Sequence, residues 1–377
     1  SASSRVPAYP ILLRLFRTPD APNIGVIVIG HFMGILAALL FYHALIPLSR
    51  IAATGTAILA LFFLPYIHYA GKILPESLAV LLIALSASVF SGLPACRGLR
   101  SCASAGAALG LVISLGILTK PVMQFAPLPM LAVILLHRNG IRLSARAAAC
   151  SAMVVTAAFL PCLWRMHNLA AFGLDALSTQ DAFEPMARFA VLANETTQEE
   201  VWSGTYTDRL SAPATGPGGM NFRMRDSLFR AESRRLVREH FWSILLPHLT
   251  TFYAFASPYE GAKLAEDTYS TDWAPLRVFH AAVMVAFGFF CAAGWVLFAS
   301  VPPGIGRMGR MGGFLVLWSL VFVVVTGPLR FLRYGLVFYW SMFAVAILGV
   351  ERAVSFAKRR TMKPGGVTAG VETACFR

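Results

Sequence analysis

Basic and tyrosine side chains lie beside several of the most apolar stretches of this sequence. They are Arg5, Tyr9, Lys72, Lys120, Arg165 with the nearby Asn168, and Arg333 with Tyr334. An arginine can hold a phosphate through two parallel hydrogen bonds, a lysine binds it as a point charge, and a tyrosine hydroxyl can donate to it. If the fold gathers these residues at one membrane-surface cavity, they suit the binding of a phosphate-bearing lipid.

Each of these residues also has an ordinary alternative role. Cations at helix ends often extend to the membrane surface or set the topology of the chain. Glu76 directly follows Pro75 and lies four residues after Lys72. It could pair with Lys72, cap its helix or act in catalysis. A carboxylate in the first turn is stabilised by the helix dipole, which favours pairing or capping.

The composition places these residues in a membrane protein. Apolar residues make up 57% of the chain and charged residues only 13%, whereas a soluble domain carries about 25% charged residues. A spanning helix needs roughly 20 mostly apolar residues. We therefore predict an all-α, polytopic integral membrane protein with about nine transmembrane helices. The apolar runs are 24–48, 51–70, 75–93, 103–118, 123–137, 144–164, 278–300, 312–326 and 331–350.

The orientation follows from lysine and arginine in the short loops, which favour the cytoplasmic side. The basic links follow the third, fifth and seventh runs, and the tail after the ninth is also basic. Because each spanning helix changes the side of the membrane, these cytoplasmic links agree with nine helices. They predict an outer-face segment 1–23, transmembrane helices 1–6 in 24–164, a non-cytoplasmic loop 165–277, helices 7–9 in 278–351 and a basic cytoplasmic tail 352–377. The net charge of +14 is thereby explained by topology, and no nucleic-acid partner is expected.

The long loop 165–277 has the composition of a small soluble lobe. Its stretch 212–219 is rich in Gly and Pro and is predicted to be flexible. The following stretch 221–240 is rich in arginine with apolar residues interspersed. That pattern predicts an interfacial amphipathic helix against lipid headgroups, or else a solvated helix packed on the lobe.

Several other kinds of site have no sequence signal. None of the six cysteines falls in the long loop, so no disulfide framework is expected there. No CxxC spacing or His/Cys cluster predicts a metal site, and there is no P-loop, dinucleotide fingerprint or HExxH motif. The missing P-loop argues against an ATP-driven pump contained in this chain.

The order of short motifs resembles the C-type membrane glycosyltransferases. It is similar to the bacterial branch related to dolichyl-phosphate-mannose protein mannosyltransferases and to the aminoarabinose transferase of lipid A. The motifs are Arg-x-Pro-x-Tyr-Pro at 5–10, Pro75-Glu76, the glycine-to-proline segment 110–121, Pro-x-x-x-Arg-x-x-Asn-x-x-x-x-Gly at 161–173, and Arg333-Tyr334. They span nearly the whole chain.

This resemblance implies an inverting transferase that moves a sugar from a polyprenyl-phosphate donor on the non-cytoplasmic face of a bacterial inner membrane. The acceptor would be a lipid, a glycan or a protein. By position, Lys120, Arg165, Arg333 and Tyr334 would bind the donor phosphate. Arg5, Tyr9, Lys72 and Asn168 would line the same cavity. No cofactor is required by the resemblance, although a divalent metal is left open.

The resemblance also locates a catalytic carboxylate in the first outer loop, upstream of the Arg-x-Pro-x-Tyr-Pro segment. This sequence begins at that segment, and Asp20, which follows it, does not match. We therefore expect a fragment that lacks the catalytic carboxylate, with Glu76 as a weak candidate within the chain. The other interpretation is that the chain as given is not catalytic.

Two further classes of protein compete with an enzyme. A transporter or lipid flippase would carry ionisable residues near the bilayer midplane, whereas here the helix interiors contain almost no acids. A structural subunit of an envelope complex is disfavoured only by the long outer loop and the basic residues at one end of the helices. The transporter is the main alternative.

Overall fold

A computed structural model describes residues 6–16, 24–70, 75–93, 96, 98–136, 142–178, 180–211, 222–250, 274–300, 307–326, 336 and 338–361. Every element of regular structure in these residues is helical, which confirms the all-α prediction for this part of the chain. Before the long loop the helices are α1 (Ala8–Phe16), α2 (Ile24–Leu45), α3 (Arg50–Phe62), α4 (Leu64–Ala70), α5 (Glu76–Gly92), α6 (Leu99–Ile117), a 3-10 helix (Pro121–Phe125), α7 (Pro127–Leu136) and α8 (Leu143–Phe172). After it come α9 (Gln180–Leu192), α10 (Gln198–Ser203), α11 (Thr205–Ser211), α12 (Phe222–Glu239), α13 (Phe241–Thr250), α14 (Ala274–Ser300), α15 (Arg307–Thr326) and α16 (Tyr339–Thr361).

Five of the described helices are long and apolar enough to cross a membrane. They are Ile24–Leu45, Leu99–Ile117, Leu143–Phe172, Arg277–Ser300 and Tyr339–Lys358. Four shorter apolar stretches occupy the other predicted runs: Arg50–Phe62, Glu76–Gly92, Pro121–Leu136 and Gly312–Phe322. The chain is thus compatible with a multi-pass membrane protein, and the total of nine spans stays a prediction.

Helix α8 is longer than the sequence predicts. It continues past 164 to Phe172 and ends at Gly173, whose φ of 66° is readily adopted by glycine. Arg165 and Asn168 therefore lie on the last turns of a helix, although the predicted loop begins at 165. Because the side chains of Met166 and Leu169 are apolar and exposed, the hydrophobic surface of this helix extends into the same turns.

Helices α6 and α8 pack closely against each other. A methyl group added at Gly106 would lie 2.2 Å from the carbonyl oxygen of Ala149, and one at Gly110 would lie 2.3 Å from that of Met153. Thr156 adds a hydrogen bond across the same interface, from Oγ1 to the carbonyl oxygen of Ala107 at 3.0 Å. Small residues four positions apart allow the backbones of membrane helices to approach in this way.

Aromatic side chains fill the centre of the remaining bundle. The rings of Phe41 in α2 and Trp340 in α16 stack with centroids 4.7 Å apart, and Trp318 of α15 packs against the same tryptophan. Phe63, between α3 and α4, makes edge contacts with Phe287 of α14 and with two rings of α16. Helices that are distant in sequence are thereby held in one core.

Contacts at the two ends of the bundle agree with helices that alternate in direction. At one end, the Glu76 end, Ala8 N donates to Leu118 O at 3.1 Å and Tyr66 Oη donates to Leu336 O at 3.0 Å. At the opposite, Glu351 end, Ser49 Oγ donates to the Glu351 carboxylate at 2.5 Å. There Arg146 of α8 also donates to the carbonyl oxygen of Leu135 in α7 at 2.9 Å. Which end faces the cytoplasm stays a prediction.

Helices α9 to α13 form a separate lobe core within the long loop. Met186 and Ala190 of α9 are buried against Phe229 and Leu236 of α12. Helix α13 contacts α15, which connects the lobe to the apolar bundle. This stretch thus has a small core of its own, and its soluble character stays a prediction.

We predict that Gly106→Ala destabilises the protein by about 1–3 kcal/mol, because the added methyl group meets the backbone of α8, which cannot rotate away. Gly34→Ala is the matched control, since a methyl group there meets no described atom within 4 Å. Thermal unfolding in detergent measures both variants. Equal melting temperatures for the two would contradict the close packing of α6 and α8.

Candidate functional site

A buried ion pair joins two segments that are far apart in the sequence. Lys120 Nζ lies 3.5 Å from the Glu76 Oε1 atom, and the two side chains are only 10% and 3% exposed. Glu76 is the first residue of α5, so its charge faces the positive end of the helix dipole. Lys120 is held in an extended conformation between the end of α6 and Pro121, and its backbone N–H donates to Gly116 O at 2.8 Å.

The N-terminal helix brings a tyrosine to the same pair. Because Ala8 N donates to Leu118 O, α1 begins beside the end of α6. Tyr9 is buried there, and burial, followed by the negative charge of Glu76, raises the pKa of its phenol to about 12. The hydroxyl is therefore neutral at physiological pH and keeps its proton for donation.

Three of the sequence-predicted site residues thus converge. Tyr9, Glu76 and Lys120 come from three of the motifs that carry the family resemblance. Sequence reasoning offered Lys72 as one possible partner of Glu76, and Lys72 lies outside the described residues. The structure shows Lys120 as a partner of Glu76. A pair between residues 44 positions apart has no signal in the local pattern of the sequence.

A small cavity borders Glu76. It has a volume of about 20 Å³, enough for about one water molecule. Its polar lining comes from Glu76, Ser77, Tyr66 and Tyr69, and its apolar lining includes Phe41. Glu76 therefore pairs with a cation and also lines a cavity that can hold solvent.

Arg165 and Asn168 make their contacts at the end of α8. Arg165 forms a two-pronged ion pair with Asp175, with Nη2 2.7 Å from Oδ2, and both side chains are more than half exposed. The arginine holds the pKa of the Asp175 carboxyl below its usual range. Asn168 is fully buried and donates to the carbonyl oxygens of Ala176 and Leu177 at 2.9 and 3.0 Å. Both residues thus fix the chain as it leaves α8, and their part in a donor site stays a prediction.

The other predicted site residues lie outside the part of the chain that the structure describes. They are Arg5, Lys72, Arg333 and Tyr334. The neighbouring residues that are described, Tyr9, Pro75 and Leu336, all belong to the Glu76 end of the bundle.

No protein-family model matches this chain, and neither a curated protein nor a solved structure matches it. The resemblance to C-type glycosyltransferases therefore depends on the motifs in the sequence. The convergence of Tyr9, Glu76 and Lys120 is the structural observation that bears on those motifs.

A second cluster of charged side chains lies in the lobe. Its centre is Arg235, whose guanidinium lies 2.5 Å from Glu195, 2.7 Å from Glu232 and 2.5 Å from Glu239. His240 Nε2 lies 3.1 Å from Glu195 on the same side. These contacts lower the pKa of Glu232 and raise that of Arg235.

Three members of this cluster have the residue types of metal ligands. One atom from each of Glu195, Glu239 and His240 lies within 4.8 Å of the others. However, Arg235 already supplies the positive charge that the carboxylates would offer to a cation. We therefore interpret the cluster as an ion-pair network that joins α12 to the loop after α9.

Removing one partner of the buried pair should lower the stability of the fold. We predict that Lys120→Met destabilises the protein by about 3 kcal/mol, because it leaves the Glu76 carboxylate buried without this counter-ion. The double variant Glu76→Gln/Lys120→Met should recover much of that loss. Arg209→Met, which removes the cation of an exposed pair, is the control and should change stability little. Additive effects of Glu76→Gln and Lys120→Met in thermal unfolding would contradict a coupled pair.

The lobe network should depend on pH. Because the folded state lowers the pKa of Glu232, its contribution is present above the ordinary glutamate pKa of 4.5 and is lost as the pH falls below it. We predict that the amides of α9 and α12 lose protection from hydrogen exchange below about pH 4.5. In Arg235→Met this protection should be weaker already at pH 7, with a smaller further loss in acid. Arg230→Met, from an i,i+4 pair on the same helix, is the control. An identical pH profile in the wild type and Arg235→Met would contradict this role for the network.

Proposed function

We propose that this chain is part of an integral membrane glycosyltransferase that transfers a sugar from a polyprenyl-phosphate donor. The single observation that carries the proposal is the buried group of Tyr9, Glu76 and Lys120 at one end of an apolar helical bundle. It joins three motifs whose order in the sequence resembles the C-type glycosyltransferases. A cation and a neutral phenol at the end of membrane helices are suited to the headgroup of a lipid phosphate.

In this proposal the Glu76 end faces the non-cytoplasmic side of a bacterial inner membrane. The basic links after the third, fifth and seventh apolar runs would lie at the Glu351 end, in the cytoplasm, as the positive-inside rule favours. The proposed topology includes all nine apolar stretches, so that the four shorter helices also cross. The lobe in 165–277 then lies on the same side as the donor site, where it can contact the acceptor.

Lys120 would bind the donor phosphate, together with Arg165, Arg333 and Tyr334. Tyr9, Arg5, Lys72 and Asn168 would line the cavity around the lipid headgroup. Glu76 neutralises Lys120 and keeps its ammonium group in place. A bound phosphate would compete with Glu76 for the same cation, and the released carboxylate would then be adjacent to the donor.

The proposed reaction is an inverting displacement at the anomeric carbon. The acceptor hydroxyl forms the new bond to this carbon as the bond to the phosphate oxygen breaks, and polyprenyl phosphate leaves. A carboxylate accepts the hydroxyl proton, and Lys120 and the arginines offset the negative charge on the leaving phosphate. The resemblance assigns the base to an acidic residue upstream of the first motif, and Glu76 is the candidate among the described residues.

Donor binding and sugar transfer test the proposal separately. We predict that Lys120→Met weakens binding of a polyprenyl phosphate by about 10-fold or more, because a charge-assisted hydrogen bond contributes about 1.5–3 kcal/mol. Lys120→Arg, which keeps the charge, is the matched control. Glu76→Gln should tighten donor binding, since it removes the competing anion. Binding is measured on the purified protein by displacement of a fluorescent polyprenyl phosphate.

Transfer is measured with radiolabelled polyprenyl-phosphate sugars in membranes from cells that express the whole reading frame. If the wild type transfers sugar and Lys120→Met does not, the glycosyltransferase hypothesis is supported. If Glu76→Gln binds the donor but abolishes transfer, Glu76 is the base, whereas retained transfer assigns the base to another residue. If no donor is used and a lipid or solute crosses the membrane instead, the transporter is correct and the glycosyltransferase is not.

A further inference from the structure

Helix α12 presents a row of arginines on one face, and we infer that this cationic stripe, with the aromatic residues that follow it, docks on the anionic phospholipid headgroups beside the bundle. The stripe consists of Arg223, Arg230, Arg234 and Arg238, which are all exposed. With about 3.6 residues per turn, these positions fall within roughly a quarter of the helix circumference. The inference concerns the surface of the lobe and does not depend on the transferase activity.

The opposite face of α12 is already occupied. Phe229, Glu232 and Leu236 are buried against the lobe core and its ion-pair network. The orientation of the helix is therefore fixed from within the lobe. The cationic stripe faces away from that core because it lies on the opposite side of the same helix.

The charge of the stripe is largely uncompensated by the described residues. Arg230 pairs with Asp226 four residues earlier, at 2.8 Å. No described acidic side chain lies within 4.0 Å of Arg223, Arg234 or Arg238. By contrast, Arg235 on the flank of the same helix is surrounded by three carboxylates. A row of arginines at this density favours an anionic surface.

One electrostatic interaction places the stripe near the membrane helices. Arg230 is close enough to Asp175, three residues beyond the end of α8, for its charge to help lower the pKa of that carboxyl. On α8 itself, exposed apolar side chains continue through Met166 and Leu169 to Phe172. A lipid-facing surface that ends beside an arginine row matches the boundary between acyl chains and headgroups.

Aromatic side chains extend the stripe at its C-terminal end. Phe241 and Trp242 begin α13 and are 48% and 66% exposed, and Leu246 follows one turn later at 55%. Helix α13 also contacts α15 of the bundle. Exposed tryptophan and phenylalanine beside arginines are typical of helices that lie in the interfacial layer, where the rings enter the acyl boundary and the cations bind headgroup phosphates.

An anionic phospholipid fits this surface better than a soluble acidic partner. A soluble polyanion would use the arginines but would leave Trp242, Phe241 and Leu246 exposed to water. A bilayer engages both groups at once, and an arginine near an anionic membrane surface strengthens binding by about fivefold. Zwitterionic lipid offers the apolar layer without that net negative charge.

Hydrogen exchange of the full chain in lipid nanodiscs tests the inference. We compare discs of phosphatidylcholine alone with discs that also contain phosphatidylglycerol. The α12 amides of the wild type should exchange at least about fivefold more slowly in the anionic discs, because docking suppresses opening of the helix. Addition of 0.5 M salt should remove the difference, since a salt concentration of that order screens exposed charges beyond a few ångströms.

The stripe variant Arg234→Gln/Arg238→Gln should lose most of the lipid-dependent protection. The control Arg209→Gln/Arg225→Gln removes the same charge from the lobe but not from the stripe, and it should retain the effect. The α9 amides report whether each variant keeps its lobe core. Equal exchange in the two lipids, a lipid effect that persists in high salt, or equal losses in the stripe and control variants would overturn the inference. Protection that appears only with a soluble polyanion such as heparin would also overturn it and would assign the stripe to an acidic soluble partner.

Discussion

The buried ion pair between Glu76 and Lys120 is the interaction on which the proposed site depends. Two charges taken out of water are expensive unless they neutralise one another, so the pair restricts where the start of α5 and the end of α6 can lie. Helix α1 then docks on the end of α6 through Ala8, and Tyr9 is buried beside the carboxylate. Three chain segments thereby share one electrostatic centre, although each is attached to a different part of the bundle.

The tight packing of α6 restricts the position of this centre on one side. Gly106 and Gly110 bring α6 against the backbone of α8, and at these two positions there is no space for a methyl group. The position of Lys120 at the end of α6 is therefore set by helix packing and not by the ion pair alone. The same packing fixes α8, whose last turns carry Arg165 and Asn168. Packing in the apolar interior thus determines the positions of polar groups at the end of the bundle.

The sequence predicted the helical class well because a membrane imposes a simple rule. Long apolar runs must satisfy their backbone hydrogen bonds internally, and each predicted run contains a helix. The sequence was a less accurate guide to where the helices end, as the continuation of α8 through Arg165 illustrates. The Lys120 partner of Glu76 and the Glu195 partner of Arg235 could not be predicted, because both depend on contacts between residues that are tens of positions apart. Periodicity describes one element at a time and carries no information about such contacts.

The arginines of the lobe illustrate why the number of charges does not by itself indicate a function. Arg235 and Arg234 are adjacent in the sequence, but one is enclosed by carboxylates and the other is exposed on the cationic stripe. The difference follows from helix geometry, which turns successive side chains by about 100°. Glu232 and Glu239 are three positions before and four positions after Arg235, so all three lie on one side of the helix. On the other side, Arg230 pairs with Asp226, whereas Arg223, Arg234 and Arg238 have no described acidic side chain within 4.0 Å, and their charge is available to a surface outside the protein. In the proposed docking, the same twenty-residue stretch stabilises the lobe through one face and orients it on the membrane through the other.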